Sequence, residues 1–108
     1  MTSQEYCTKF KETFGRKPKL SEAFRVAQKT TDAELLQSFT EHCINYLIKR
    51  NTGLGMDDYP DTDQVSNVVN RISDSTTFDQ FKNYVRSAAK HIIFADYGEY
   101  FFNPEEEI

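Results

Sequence analysis

The chain has 108 residues, 38% hydrophobic and 14% aromatic, with a net charge of −4 and a pI near 5.1. That length suits one helical domain, residues 1–108, with a modest core that needs no disulfide staples. Four Gly and three Pro are too few for a turn-rich sandwich or barrel, and no apolar run approaches a membrane span.

The charges are segregated. Residues 1–29 carry seven Lys or Arg against three acids, and residues 30–81 carry nine acids against three basic residues. An acidic middle repels phosphate and attracts a basic protein surface, so the expected partner is a basic protein rather than nucleic acid. The opening stretch, MTSQEYCTKFKE, lacks the apolar core of a secretory signal, which gives an expected cytoplasmic location with no membrane partner.

The first predicted helix runs from Ser3 to Phe14. Thr2 and Glu5 have capping-box spacing, and Gly15 suits the left-handed stop. Tyr6, Cys7, Phe10 and Phe14 form its apolar stripe and are expected in the core. An exposed basic turn follows, Arg16 to Lys19, in which Pro18 prevents the helix from continuing. A short second helix is expected from Ser21, as cap, to Lys29, with Ala23, Phe24 and Ala27 inward. It offers Arg25, Gln28 and Lys29 as the contacts of a DNA-reading helix, too few and on too short a helix for that role.

Thr31 to Arg50 reads as the best-defined helix, around which the rest is organised. Thr31 and Glu34 are spaced as a capping box, and Lys49 and Arg50 suit the C-terminal end of the dipole. Leu35, Leu36, Phe39, Cys43, Tyr46 and Leu47 share one face. Ile44 and Ile48 fall almost opposite, beside Gln37 and Glu41. A second, mixed face of this kind meets either another helix or a partner protein.

Asn51 to Asp63, NTGLGMDDYPDTD, is the longest irregular segment. Asp57, Asp58, Asp61 and Asp63 lack the spacing, the central glycine and the closing glutamate of a calcium loop. The segment reads either as a solvated loop or as a presented binding loop, with Tyr59 an anchor ringed by carboxylates. A fourth helix begins after Asp61 or Thr62 and runs to about Ser73, with Val65, Val68, Val69 and Ile72 as its stripe. Thr77 and Gln80 cap a fifth helix running to about Tyr97, with Phe78, Phe81, Tyr84, Val85, Ala88, Ile92 and Ala95 inward and Gly98 as its stop. Tyr100, Phe101 and Phe102 are too apolar for open water. The tail is expected to fold back as a lid or to serve as a docking patch. The expected fold is therefore all-α, an antiparallel bundle of four to five helices with an aromatic C-terminal tail.

No catalytic signature is present. His42 and Cys43 are sequence neighbours and point about 100° apart on a helix, so they make no nucleophile–base pair. His91 lies near the rim of an apolar face and is expected to be partly buried. Cys7, Cys43, His42 and His91 lack the paired spacing of a zinc site. There is no phosphate-binding Gly loop and no nucleophile elbow. The expectation is no enzyme, no cofactor and no metal. Cys7 and Cys43 are expected as reduced core residues, and a bridge between them requires the first and third helices to pack side by side.

Residues from Thr30 to about Lys82 resemble the colicin and pyocin nuclease immunity proteins, small acidic four-helix proteins that bind and block a nuclease toxin. TTDAELLQSFTEH resembles the start of that family's second helix. DDYP, Asp57 to Pro60, resembles its Tyr-Tyr-Pro motif, with Asp58 standing where the first Tyr would be. DTDQVSNVVNRI, Asp61 to Ile72, resembles the start of its last helix, though Ile72 replaces an expected aromatic. The predicted fifth helix and the tail have no counterpart. The resemblance implies Glu34, Glu41 and Tyr59 as toxin contacts, and neither a cofactor nor catalysis by the inhibitor.

Together these readings give a small acidic inhibitor of a nuclease toxin or another nucleic-acid-acting enzyme. Its expected partner-binding residues are Glu34, Glu41, Asp57, Asp58, Tyr59, Asp61 and Asp63. One alternative is a helical adaptor docking through Ile44, Ile48 and the tail aromatics. Another is a small nucleic-acid binder using Arg16 to Lys19.

Overall fold

The computed structural model describes residues 1–53 and 63–93. Five helices follow one another there: α1 (Ser3–Phe14), α2 (Leu20–Lys29), α3 (Ala33–Thr52), α4 (Asp63–Arg71) and α5 (Phe78–Ile93). The fold is all-α, as expected. The long helix α3 is its axis, packing against each of the other four, while α5 also meets α2 and α4.

Local chemistry sets the helix starts. Thr2 and Glu5 form the reciprocal box at α1, with Glu5 N donating to Thr2 Oγ1 at 3.2 Å and Thr2 N to Glu5 Oε1 at 3.3 Å. Thr77 and Gln80 do the same at α5, at 3.1 and 2.9 Å. At α3 the cap is Asp32 and not Thr31: Asp32 Oδ1 accepts from Glu34 N at 3.1 Å, and Thr30 Oγ1 accepts from Asp32 N at 3.2 Å. A carboxylate outcompetes a neighbouring hydroxyl for exposed helix N–H groups, because its charge strengthens the bond and suits the dipole. Ser21 does not cap α2. The helix starts one residue earlier, at Leu20, because Glu22 reaches back to Lys19 N at 2.9 Å and closes the turn from inside.

The helix ends are equally local. Gly15 and Gly53 stop α1 and α3 at φ 72° and 78°, donating their N–H to Lys11 O and Lys49 O, each at 2.8 Å. Helix α3 therefore extends to Thr52, past the expected Arg50. Helix α4 ends at Arg71, short of Ser73, where a turn takes over. Ser73 N donates to Thr76 Oγ1 at 2.9 Å, and Thr76 N to Ser73 O at 3.2 Å. Gln28 latches α2 onto this turn, its Nε2 donating to Ser73 O and Thr76 O at 2.7 Å each. The expected end of the fifth helix at Tyr97 and Gly98, Ala95, and the tail all lie outside the described residues.

The core is one continuous cluster drawn from α2, α3, α4 and α5. At its centre four Phe rings join three helices. Phe81 on α5 lies 4.7 Å from Phe24 on α2, 5.5 Å from Phe39 on α3 and 6.2 Å from Phe78. Each such pair is worth about 0.5–1.5 kcal/mol beyond the area it buries. The expected inward residues Ala23, Phe24, Ala27, Val65, Val68, Phe81, Val85, Ala88 and Ile92 are all buried, and Leu20 and Ala89 join them.

Of the two readings of the second face of α3, contact with other helices holds: Ile44 and Ile48 are both 0% exposed, so that face is core, and the adaptor reading that docks through these two residues fails. With helices on several sides, α3 buries two faces where an edge helix buries one. The expected stripe of α1 is core only in part: Tyr6 packs half-buried against the core cluster, but no residue of α1 is fully buried and Phe14 is 63% exposed. Helix α1 packs against α3 and against no other described helix, so its C-terminal end overhangs the bundle.

Candidate protein-binding surface

Because α3 is enclosed on two faces, its remaining polar stripe is held rigidly. Glu34 and Glu41 lie on that stripe, both exposed, two turns and about 10 Å apart. They are not equivalent. The Met1 ammonium donates to Asp32 Oδ2 at 2.6 Å and lies 3.0 Å from Glu34 Oε1. Its pKa is raised, first by the bond to Asp32 and then by that to Glu34, and the Asp32 carboxyl is correspondingly lowered by the ammonium. Glu41 makes no ion pair among the described residues. Gln37 and His42 are exposed on the same helix.

Asp63 is the first residue of α4 and exposed. Its charge is favourable in a first helical turn. Asp57, Asp58, Tyr59 and Asp61 lie outside the described residues. The structure thus brings Glu34 and Glu41 onto one stripe, and it sets Asp63 at the start of the helix that follows the acidic segment.

A second surface lies on α1, where basic residues alternate with aromatics that the sequence assigns to the core. On α1 the rings of Tyr6, Phe10 and Phe14 form a ladder, with centroids 5.9 and 4.5 Å apart. The Arg16 guanidinium lies over the Phe10 ring, 5.0 Å from its centroid. The same group forks onto Glu22, with Nη1–Oε1 at 2.9 Å and Nη2–Oε2 at 3.0 Å. This fork, with the Lys19 N–H, pulls the Glu22 carboxyl down to about 2. Lys9, Lys11 and Lys17 are exposed around the ladder. Arg16 is therefore bound into the α1–α2 corner, which weakens the reading of Arg16 to Lys19 as a phosphate-binding turn. The available signal was a stripe with no Leu, Ile or Val in it, broken by lysines on both sides of Phe10.

A cleft of about 60 Å³ lies between α4 and α5, lined by Gln64, Asn67, Arg71, Tyr84 and Ser87 among others. Arg71 lies 5.6 Å from the Tyr84 ring centroid at its edge. It has room for a few waters and falls well short of the roughly 300 Å³ at which small-molecule pockets begin. His91 is exposed and not partly buried, and His42 is exposed. Cys43 is buried and Cys7 half-buried, its thiol pushed up by that burial, and neither is in a disulfide although α1 and α3 do pack together. Among the described residues no three His, Cys, Asp or Glu side chains gather as a metal site, and no helix is long and apolar enough to cross a membrane.

Compared with family models, curated proteins and solved structures, the chain matches none.

Proposed function

We propose that this chain is a protein-binding module that inhibits a basic, nucleic-acid-acting enzyme by covering its phosphate-binding surface. The observation that carries the reading is the acidic stripe of α3, with Glu34 and Glu41 exposed on a helix whose Ile44 and Ile48 are fully enclosed. A stripe fixed in this way loses little conformational freedom on binding, so its charges act without a reorganisation cost. An enzyme that handles nucleic acid must present Lys and Arg to phosphate, and acidic groups at fixed spacing meet them with fast, steered association. The excess of acids over residues 30–81, continuing through Asp57, Asp58, Asp61 and Asp63, extends the same field. Tyr59 supplies the desolvated anchor that slows release. The resemblance of residues from Thr30 to Lys82 to the nuclease immunity proteins points the same way.

The test is capture from source-cell lysate by the tagged chain and by its Glu34→Lys/Glu41→Lys variant, at low and high salt. The captured protein is then assayed for nuclease activity with each added back. The expected result is one basic partner whose activity falls with the native chain and not with the variant, and whose association rate with the variant is lower by about tenfold or more. Capture that ignores both salt and the charge reversal would overturn the proposal.

A further inference from the structure

The cleft between α4 and α5 gathers hydrogen-bonding groups that the fold does not use. Gln64, Asn67 and Arg71 follow one another at i, i+3 and i+7 and so line one side from α4, while Tyr84 and Ser87, at i and i+3, line the other from α5. None of these five side chains makes a hydrogen bond or an ion pair with the described residues, unlike Gln28 or Asn51, whose amides are bonded to carbonyls. Buried Val68 and Ala88 complete the lining and give it an apolar base. The Arg71 guanidinium lies against the Tyr84 ring, 5.6 Å from its centroid, which restrains it before anything binds. No acid lines the cleft. Asp63, at the start of α4, stands eight residues from Arg71, about 12 Å along the helix. Asp79, at the start of α5, is paired with Lys82 at 3.0 Å. Asp74, in the intervening turn, makes no ion pair with Arg71 among the described residues.

We propose that this cleft is a receptor for a single carboxylate. Its one formal charge is the Arg71 cation, and a guanidinium fork meets both oxygens of a carboxylate at once. The remaining lone pairs can be met by amide and hydroxyl donors, which Gln64, Asn67, Tyr84 and Ser87 supply. A neutral ligand leaves the guanidinium unpaired, and a cation is repelled by it. A phosphate dianion brings two charges to one Arg, in a stretch, residues 30–81, that holds nine acids against three basic residues. The room, about 60 Å³, suits a carboxylate head group and is too small for a whole metabolite. The carboxylate is therefore the end of an acidic side chain on a bound polypeptide, or a free acid as small as acetate. The site lies away from the acidic stripe of α3 and does not depend on the inhibitor reading. It lets an acidic chain recognise one acidic group that the rest of its surface repels.

The experiment titrates the isotope-labelled full chain with acetate, with glutamate capped as its N-acetyl methylamide, and with inorganic phosphate, each against chloride at matched ionic strength. Nuclear magnetic resonance follows the side-chain N–H groups of Gln64, Asn67 and Arg71, with the amides of α1 as the internal control. The expected result is saturable shifts at these groups with both carboxylates, weaker by about tenfold or more in Arg71→Gln and by several-fold in Arg71→Lys, which keeps the charge and loses the fork. Asn67→Ala, at an exposed position, tests the same cleft without touching the charge and should weaken binding several-fold. Tighter binding of the capped glutamate assigns the carboxylate to a polypeptide, and tighter binding of acetate assigns it to a free acid; both support the site. Shifts that match chloride, that persist unchanged in Arg71→Gln, or that saturate first with phosphate would overturn the proposal.

Discussion

Replacing Thr40 by Val should stabilise the protein. Thr40 lies on α3 with 0% exposure, and its Oγ1 has no hydrogen-bond partner among the described residues. A helical Thr ordinarily returns its hydroxyl to a carbonyl one turn back, which recovers part of the cost of burial. No such bond forms here, so the hydroxyl bears its full desolvation penalty, about 1–3 kcal/mol. Val has nearly the same shape, puts a methyl where the hydroxyl was, and has a similar helix propensity. The expected gain is about 1–2 kcal/mol, or roughly 4–10 °C in Tm for a domain of this size. Thermal unfolding followed by circular dichroism at 222 nm reads it directly, with urea unfolding as a check that the slope is unchanged. Thr40→Ser is the control: it keeps the hydroxyl and removes a buried methyl, so it should lower Tm by an amount equivalent to about 1 kcal/mol. A fall in Tm for Thr40→Val would refute the reasoning, because it would mean that the hydroxyl has a partner, such as a buried water.

Phe81→Leu removes three ring contacts at the α2–α3–α5 junction while keeping most of the volume, and should cost about 1–3 kcal/mol, measured as a shift in the urea midpoint. Ile44→Ala should cost about 2–5 kcal/mol in the same assay, as a core residue does, whereas a docking residue on the surface would cost under about 0.5 kcal/mol. Glu22 has a folded pKa lowered from 4.5 to about 2, so its contribution is complete above about pH 4.5 and is lost as the pH falls towards 2. The Glu22 side chain is 34% exposed and that of Arg16 49%, so solvent screening limits the pair to less than about 1 kcal/mol. Glu22→Gln, which keeps the acceptor for Lys19 N, should therefore lower Tm by a few degrees at pH 7 and by nothing near pH 2. An equal deficit at both pH values would assign the effect to packing.

What was legible in the sequence was local. The two reciprocal caps, Thr2 with Glu5 and Thr77 with Gln80, and the stop at Gly15 depend on residues within one turn of each other, and spacing alone identifies them. The cap of α3 moved by one residue, from Thr31 to Asp32, because Thr30, Thr31 and Asp32 are three competent caps in a row and the capping-box spacing of Thr31 with Glu34 was weighed above the stronger bond a carboxylate makes. The misread faces have another cause. Periodicity says which side of a helix is apolar and is silent on whether a neighbour covers it. Tyr6, Phe10 and Phe14 have the spacing of a core stripe, yet α1 meets α3 alone. Ile44 and Ile48 left two readings open, another helix or a partner protein, and burial decides for the first. Coverage is set by contacts between residues far apart in the chain, such as Gln28 with Ser73 and Thr76 or Ser3 N with Ser38 Oγ at 2.7 Å, and no short motif encodes them.

The same long-range contacts rank the two α3 acids. The Ser3–Ser38 bond and the Met1 ammonium bring the start of α1 against the start of α3, so a positive charge lies within 3.0 Å of Glu34. A basic partner approaching Glu34 meets a carboxylate already neutralised in part by the Met1 ammonium. Glu41, two turns on, makes no ion pair among the described residues and keeps its full charge for the partner. Of the two α3 acids, which the sequence resemblance set as equal contacts, Glu41 therefore steers a basic partner more strongly than Glu34. Glu41→Lys should then slow association more than Glu34→Lys, by several-fold at low ionic strength, with the gap closing as salt shortens the Debye length towards the 3.0 Å scale of the Met1 pair. Stopped-flow association with the captured partner measures both. Equal effects of the two reversals would mean that the ammonium does not shield Glu34 in solution, and the binding pole would then span the whole stripe.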